Sequence, residues 1–329
     1  MKTFLGVDGG GTKTRFLLID ETGRVLASHL EGPAYYLEIG LDELRKMLAQ
    51  GIGQTLAQGQ VREEDLSYAF LGLPAYGEDS RLLPALDAAP SHALPHGRYC
   101  CDNDMVCGWA GALAGSDGIN IVSGTGSIAY GEFAGHKARA GGWGELFGDE
   151  GSSYWLAREG LRLFSCMSDG RLPHGPLYEH VRRHFSLERD LDLCAAIYGK
   201  DIAQRSQFAQ LAKLLTAAAA DGDRASLGLF ERAARDLADL VDAVRRQLPV
   251  PAEAHVPVSS SGGMFRPGNG LREMLSSELR RRSTQFRFVE ALLPPHVGAA
   301  IQAARLSGTP LSAAGLAALQ RDEVANSQA

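Results

Sequence analysis

Apolar and polar positions follow two rhythms along this chain. Phe4-Leu5-Gly6-Val7 is a short apolar run closed by Asp8-Gly9-Gly10-Gly11-Thr12. Residues 15–20 and 24–28 form two further runs, separated by the turn Glu21-Thr22-Gly23. Short runs bounded by glycine turns predict strands, here three in a meander. Helical spacing of apolar residues predicts a helix over 41–56. Strands are expected at 68–72 and 98–101, followed by a helix over 104–113 that stops at Gly115.

The pattern then restarts. Residues 119–122 read as a strand, Ser123-Gly124-Thr125-Gly126-Ser127 as a glycine turn and 128–133 as a second strand, with another turn at Gly135. Strand, Gly/Thr turn and strand occur at 4–20 and again at 119–133, a weak internal duplication that suggests two lobes. Further helices are expected over 151–164, over 200–247 as a long pair broken near Asp221-Gly222-Asp223, and over 297–305. Residues 249–257 lead into a strand ending in Ser259-Ser260-Ser261-Gly262-Gly263. The tail beyond Asp322 is expected to fray. The class these elements predict is α/β.

Composition narrows the picture. A length of 329 residues suggests two domains, and 45% hydrophobic with 22% charged residues is ordinary for a globular enzyme. Glycine is abundant, 39 residues against a usual ~7%. A net charge of −6 gives no basic footprint for nucleic acid. Five cysteines, an odd number with no Cys-x-x-Cys pair, suggest neither a disulfide framework nor a zinc site. Reduced thiols in the cytoplasm fit best. The N-terminus reaches Asp8 too soon for a signal peptide, and no apolar run approaches the ~20 residues of a membrane span.

Candidate chemistry gathers at the glycine turns. Glycine lets successive backbone N–H groups close on an anion, and a threonine hydroxyl adds a donor. Two such turns, Gly10-Gly11-Thr12 and Gly124-Thr125-Gly126, suit a polyphosphate; the plain alternative is a pair of ordinary β-turns. Neither is a P-loop, because Thr12 stands where the lysine belongs, nor a Rossmann fingerprint, because a strand follows Gly126. Asp8, beside the first turn, could hold Mg²⁺ through water. Asp104 sits where a strand meets a helix and could accept a hydroxyl proton in phosphoryl transfer, or simply cap the helix. The stretch Gly141-Gly142-Trp143-Gly144-Glu145-Leu146-Phe147-Gly148-Asp149-Glu150-Gly151-Ser152 places an aromatic face and carboxylates among glycines, which suits a sugar ring. His180 and His184, four apart, read as a solvated helix face; Trp109 and Trp155 read as core.

Together, Val7-Asp8-Gly9-Gly10-Gly11-Thr12-Lys13-Thr14, Asn103-Asp104, Ser123-Gly124-Thr125-Gly126-Ser127, Gly142-Trp143-Gly144, Gly148-Asp149-Glu150-Gly151-Ser152 and Ser261-Gly262-Gly263 resemble the BadF/BadG/BcrA/BcrD ATPase family, and within it the N-acetylglucosamine kinases. The resemblance implies two ribonuclease H-like lobes of the actin-like ATPase fold, each a mixed five-stranded sheet flanked by helices, with ATP in the interlobe cleft. Residues 1–116, joined by a C-terminal helix at about 297–320, would form the first lobe and 117–296 the second. It implies ATP and Mg²⁺ as cofactors and a sugar 6-phosphate as product. ATP would contact Gly10, Gly11, Thr12, Lys13, Gly124, Thr125, Gly126, Gly262 and Gly263. Asp104 would be the catalytic base and touch the sugar with Gly142, Trp143, Gly144, Asp149 and Glu150. A homodimer with no nucleic-acid or membrane partner is expected. Animal members also carry a sugar-contacting asparagine where this chain reads Gly32-Pro33-Ala34-Tyr35-Tyr36, so glucosamine stands beside N-acetylglucosamine as substrate.

Three rival classes can be weighed on residues. An activator ATPase of an iron–sulfur dehydratase or reductase needs paired cluster-binding cysteines, and no suitable pair stands out. A non-catalytic sugar sensor would show a DNA-binding segment or basic stripe, and none is evident. Zinc-containing sugar kinases need a cysteine-rich motif that is missing.

Overall fold

The structure is a computed structural model that describes residues 1–199, 205–266 and 268–328. Two compact units emerge: Met1–Asp117 with Glu290–Ala329, and Gly118–Val289.

The first unit is built on a five-stranded mixed sheet. Its strands are β1 (Thr3–Asp8), β2 (Thr14–Asp20), β3 (Val25–Glu31), β4 (Tyr68–Leu73) and β5 (Tyr99–Asn103), in the order β3-β2-β1-β4-β5. The meander β1-β2-β3 is antiparallel, whereas β4 and β5 run parallel to β1. The carboxyl ends of the parallel strands therefore share one edge, with Asp8 beside Gly72 and Gly72 beside Asp102. One face buries Leu5, Val7, Phe16, Leu18 and Leu71 together with Leu44, Leu48, Ile52 and Leu56 of the helix Leu41–Gln58.

The other face is covered at much closer range. A Cβ on Gly6 of β1 would lie 2.1 Å from the backbone N of Ala300, in the helix Pro295–Leu306. A Cβ on Gly298 of that helix would lie 2.1 Å from the carbonyl O of Cys107, in the helix Met105–Leu113. Gly298, Ala299, Ala300, Ala303 and Ala304 are all buried, so the small residues read at 297–305 let backbones pack in contact. The single helix expected at about 297–320 is two helices, Pro295–Leu306 and Ala313–Gln328. Gly308, in the left-handed region at φ +76°, and Pro310 follow the first and end it. The tail expected to fray beyond Asp322 stays helical to Gln328.

The second unit repeats the plan. Its strands are β6 (Gly118–Ser123), β7 (Ser127–Phe133), β8 (His136–Gly141), β9 (Val256–Ser261) and β10 (Phe286–Phe288), in the order β10-β9-β6-β7-β8. Again three antiparallel strands are followed by two parallel ones. The two sheets match strand for strand in order and sense, which gives the duplication read at 4–20 and 119–133 a structural basis. Ile119, Ile121 and Ala129 pack under Leu237, Val241 and Val244 of the helix Arg224–Gln247. The expected break at Asp221-Gly222-Asp223 is present, and Asp223 caps that helix by accepting the Ser226 N–H at 2.8 Å. The stretch expected as a pair over 200–247 holds three helices among its described residues, Arg205–Ala209, Ala212–Ala220 and Arg224–Gln247; residues 200–204 lie outside the description. Among the described residues no helix is long and apolar enough to cross a membrane.

Candidate active site

In the first unit, β1 delivers Asp8 to the sheet edge and the chain turns back through Gly9–Lys13. Gly9 donates its N–H to the carbonyl of Gly72 at 2.9 Å, and Gly10 accepts from the N–H of Ala34 at 2.9 Å. The turn is thus fixed from behind. Among the described residues no acceptor lies on the N–H groups of Gly10, Gly11 or Thr12, the condition for an anion nest. Gly10 is glycine because a Cβ would meet the Lys13 carbonyl at 2.8 Å. Gly11 has no such reason: its φ is not left-handed and nothing lies within 4 Å of its Cβ position. A glycine with no internal cause leaves room for something outside the fold.

Asp8, Gly9, Gly10, Thr12, Lys13, Arg15, Asp104 and His296 line one concave pocket of about 410 Å³. That volume lies within the range of small-molecule sites, roughly 300–1,000 Å³. Asp104 follows β5 and precedes the helix Met105–Leu113, yet its side chain makes no capping hydrogen bond. Asn103 does that work instead, its Oδ1 accepting the Met105 N–H at 3.1 Å while its Nδ2 donates to the Tyr76 carbonyl at 3.2 Å. The Asp104 carboxyl is left lining the pocket. Burial pushes it up to about 6, with Glu78 adding to the effect. Asp8 is pushed up to about 7, first by burial and then by the charge of Asp104, against the pull of Arg15 and Lys13. Two acids raised towards neutrality at one sheet edge mark a site where a proton or a cation is handled.

Three residues around this pocket lay outside the sequence reading. Arg15 stands directly across the hairpin from Asp8, a pairing that the β1–β2 register sets. Cys107 packs beneath: its thiol donates to the Val7 carbonyl at 3.8 Å, and its Sγ would lie 2.3 Å from a Cβ on Gly72. His296, from the far end of the chain, places Nε2 3.2 Å from Glu323 Oε1.

In the second unit the turn after β6 is clasped by the loop 142–153. The carbonyl of Gly124 accepts from both the N–H and the hydroxyl of Ser153, at 2.8 and 2.9 Å. Ser127 donates its hydroxyl to the Glu150 carbonyl at 2.7 Å, and Ser123 donates to the Gly151 carbonyl at 2.8 Å. Gly124 repeats the Gly11 observation, with nothing within 4 Å of its Cβ position. Gly262, at φ +102°, passes 2.3 Å (as a Cβ) from the Ser123 carbonyl, where β9 ends beside β6. Gly263 opens the short turn Gly263–Phe265.

The sugar candidates separate into two kinds. Gly142 and Gly144 are both left-handed and flank Trp143, which is 67% exposed, while Gly142 is held to the second unit by its N–H donating to the Ser127 carbonyl at 2.9 Å. Asp149 is 2% exposed and faces the turn, accepting the Ser127 N–H on Oδ1 at 3.2 Å and pairing with Arg205 through Oδ2. Glu150 is half-buried beside it. Arg205 is a fourth residue that the sequence did not reveal.

Known proteins align with this arrangement over most of its length. An N-acetyl-D-glucosamine kinase of Dictyostelium discoideum is 27% identical over 309 residues, spanning 91% of this chain and 97% of the relative. An N-acetylmuramic acid/N-acetylglucosamine kinase of Clostridium acetobutylicum is 28% identical over 274 residues, spanning 82% and 88%. A crystal structure from Chromobacterium violaceum, provisionally named an N-acetylglucosamine kinase, matches with a TM-score of 0.70 at 28% identity, covering 91% of this chain and 98% of the other. The model of one family matches residues 5–303, from β1 into the helix Pro295–Leu306. The duplicated sheets and their glycine turns are therefore those of a known lineage: the chain belongs to the BadF/BadG/BcrA/BcrD ATPase family.

Proposed function

We propose that this protein is an ATP-dependent kinase that phosphorylates an amino sugar, N-acetylglucosamine or glucosamine, on its 6-hydroxyl. The observation that carries the reading is Asp104, an acid raised to about 6 that lines the same pocket as the Gly10-Gly11-Thr12 turn and Asp8. The relatives' names supply the substrate class.

In this reading Asp104 accepts the proton of the sugar hydroxyl as its oxygen attacks the γ-phosphorus and ADP leaves. The N–H groups of Gly10, Gly11 and Thr12, with Lys13, are the phosphate donors of the first unit, and those of Thr125 and Gly126 the phosphate donors of the second. Gly262 and Gly263 lie near the nucleoside. Trp143 offers its face to the sugar ring, with Gly142, Gly144 and Glu150 around it, while Asp149, buried with both carboxylate oxygens engaged, acts on the neighbouring turn. Asp8 fits Mg²⁺ as a hard oxygen donor, and among the described residues no group of three potential metal ligands surrounds it, so water and phosphate oxygens would complete the shell. When bound, the ion neutralises charge on the phosphates. Positioning and charge compensation supply most of the rate, because the transition state needs little covalent help.

The segment Gly32–Tyr36 holds no asparagine for an acetamido group. Ala34 instead backs the first turn through its N–H, and the buried Tyr36 donates its hydroxyl to the Ala75 carbonyl at 3.3 Å. A coupled ADP-release assay with MgATP against N-acetylglucosamine, glucosamine, N-acetylmannosamine and glucose tests the reading. Turnover with one of the first two sugars is expected. Sugar-independent hydrolysis alone would sink it.

Gly11→Ala separates binding from folding. The Cβ enters open space at an ordinary φ, so melting should be unchanged or slightly higher, by ~0.4–1 kcal/mol. The KM for MgATP should rise at least about tenfold, because the methyl stands where phosphate approaches. Unaltered nucleotide kinetics would remove the first turn from the site.

A further inference from the structure

We propose that Arg205 is a positioning residue of the second glycine turn: it holds and neutralises Asp149 against Gly126 and Ser127, and so sets the affinity of that turn for the phosphate chain of a nucleotide. The inference rests on reading the turn as a phosphate site.

The geometry is specific. Asp149 is a non-glycine residue at φ +57° and is almost wholly buried. Such a conformation persists only where the surroundings fix it. Here Oδ1 accepts the Ser127 N–H and Oδ2 pairs with Arg205 Nη2. Arg205 Nε lies 3.1 Å from Glu145 Oε2, and Arg158 donates to the Glu145 carbonyl at 3.1 Å, so the guanidinium is tied to the loop as well as to the turn. A Cβ on Gly126 would lie 2.7 Å from Arg205 Nη2 and 2.9 Å from Asp149 Oδ2. The ion pair therefore lies flat on the turn, and Gly126 is glycine to admit it.

Two consequences follow for an anion. The Ser127 N–H is committed to Asp149 and the Gly124 N–H to the Gly126 carbonyl at 2.9 Å, which leaves Thr125 and Gly126 as the turn's donors. A carboxylate in contact with that turn would repel phosphate unless its charge were compensated, and in a poorly solvated place such repulsion is strong. Burial already pushes the Asp149 carboxyl up, with Arg205 opposing. Arg205 supplies the compensation with the fork geometry that suits a carboxylate.

The test is calorimetric binding of MgADP to the full chain without sugar. Arg205→Met should weaken MgADP about tenfold or more, while Arg205→Lys, which keeps the charge, should stay within about threefold. Arg205→Met/Asp149→Asn should recover most of the lost affinity, since it removes the uncompensated charge; a purely structural role for the pair predicts the double variant to be worse. Arg205→Met binding within twofold of wild type, or a double variant no better than Arg205→Met, overturns the inference. Wild-type protein that binds no MgADP would overturn the phosphate reading of the turn itself.

Discussion

Asp104→Asn is expected to lose turnover and gain stability in the same protein. Removing a positioned general base lowers kcat by roughly 10²- to 10⁴-fold. The isosteric amide should leave MgADP affinity within a few-fold, because the phosphate donors belong to the backbone of the turn. Stability should move the other way. The carboxyl is raised from 3.8 to about 6 in the fold, so the native state binds more protons than the unfolded chain between those values. Stability therefore falls as pH rises through that window, and the full penalty is present above pH 6. Asp8, raised to about 7, extends the same trend. In metal-free protein at pH 7.5 the substitution should stabilise by about 1–3 kcal/mol, a few degrees in Tm. Wild-type kcat/KM should fall below about pH 6 with a slope near one, and that limb should vanish in the variant. Turnover within tenfold of wild type would remove Asp104 from the role of base.

Gly298→Val should have the largest effect on folding. Its Cβ would lie 2.1 Å from the Cys107 carbonyl and 2.3 Å from the Gly111 N. Both obstacles are backbone of the helix Met105–Leu113, so no side chain can rotate away. Overpacking commonly costs about 1–3 kcal/mol, and with rigid backbone on the far side the upper end or beyond is expected. Since the same helix lies on β1 at Gly6, any shift away from Met105–Leu113 is resisted from a second direction. A fall in Tm of about 10 °C, or insoluble expression, is the expected outcome. Gly53→Ala serves as control: it sits exposed in the helix Leu41–Gln58 with nothing within 4 Å of its Cβ position, and should stabilise by up to ~1 kcal/mol. Equal melting of Gly298→Val and wild type would contradict the close packing.

The elements legible in the sequence are those whose apolar runs end in glycine. β1, β2, β6 and β7 have continuous apolar or β-branched stretches and abrupt turns, and each was readable to within a residue or two. β8 was not, because His136, Lys137 and Arg139 on an edge strand leave only Ala138 and Ala140 as an apolar alternation. The helix Leu271–Arg282 presents a single thin stripe, Leu271, Leu275 and Leu279, among arginines and glutamates. β10 is three residues long, too short to carry a period. At the site, the glycine turns, Asp8 and Asp104 announce themselves by local pattern. His296 and Arg205 do not: each meets its neighbours only through the fold, Arg205 lying 56 positions from Asp149. Asp149 itself was legible as an acid in an unusual loop, but its direction was not. A backbone turned to positive φ, which only the three-dimensional setting fixes, aims it at Ser127.

The first unit takes its strands from the beginning of the chain and its central helix from the end. During synthesis, β1 to β5 emerge first, yet the face of β1 that exposes Gly6 has no cover until residues after Glu290 leave the ribosome. Gly118–Val289, continuous in sequence, holds all five strands of its sheet and can complete its core earlier. At ~5–20 residues per second the nascent first unit waits on the order of ten seconds with an open apolar face, an interval in which a holding chaperone or a premature stop codon would decide its fate. The helix Pro295–Leu306 is thus the latch of the first unit's sheet.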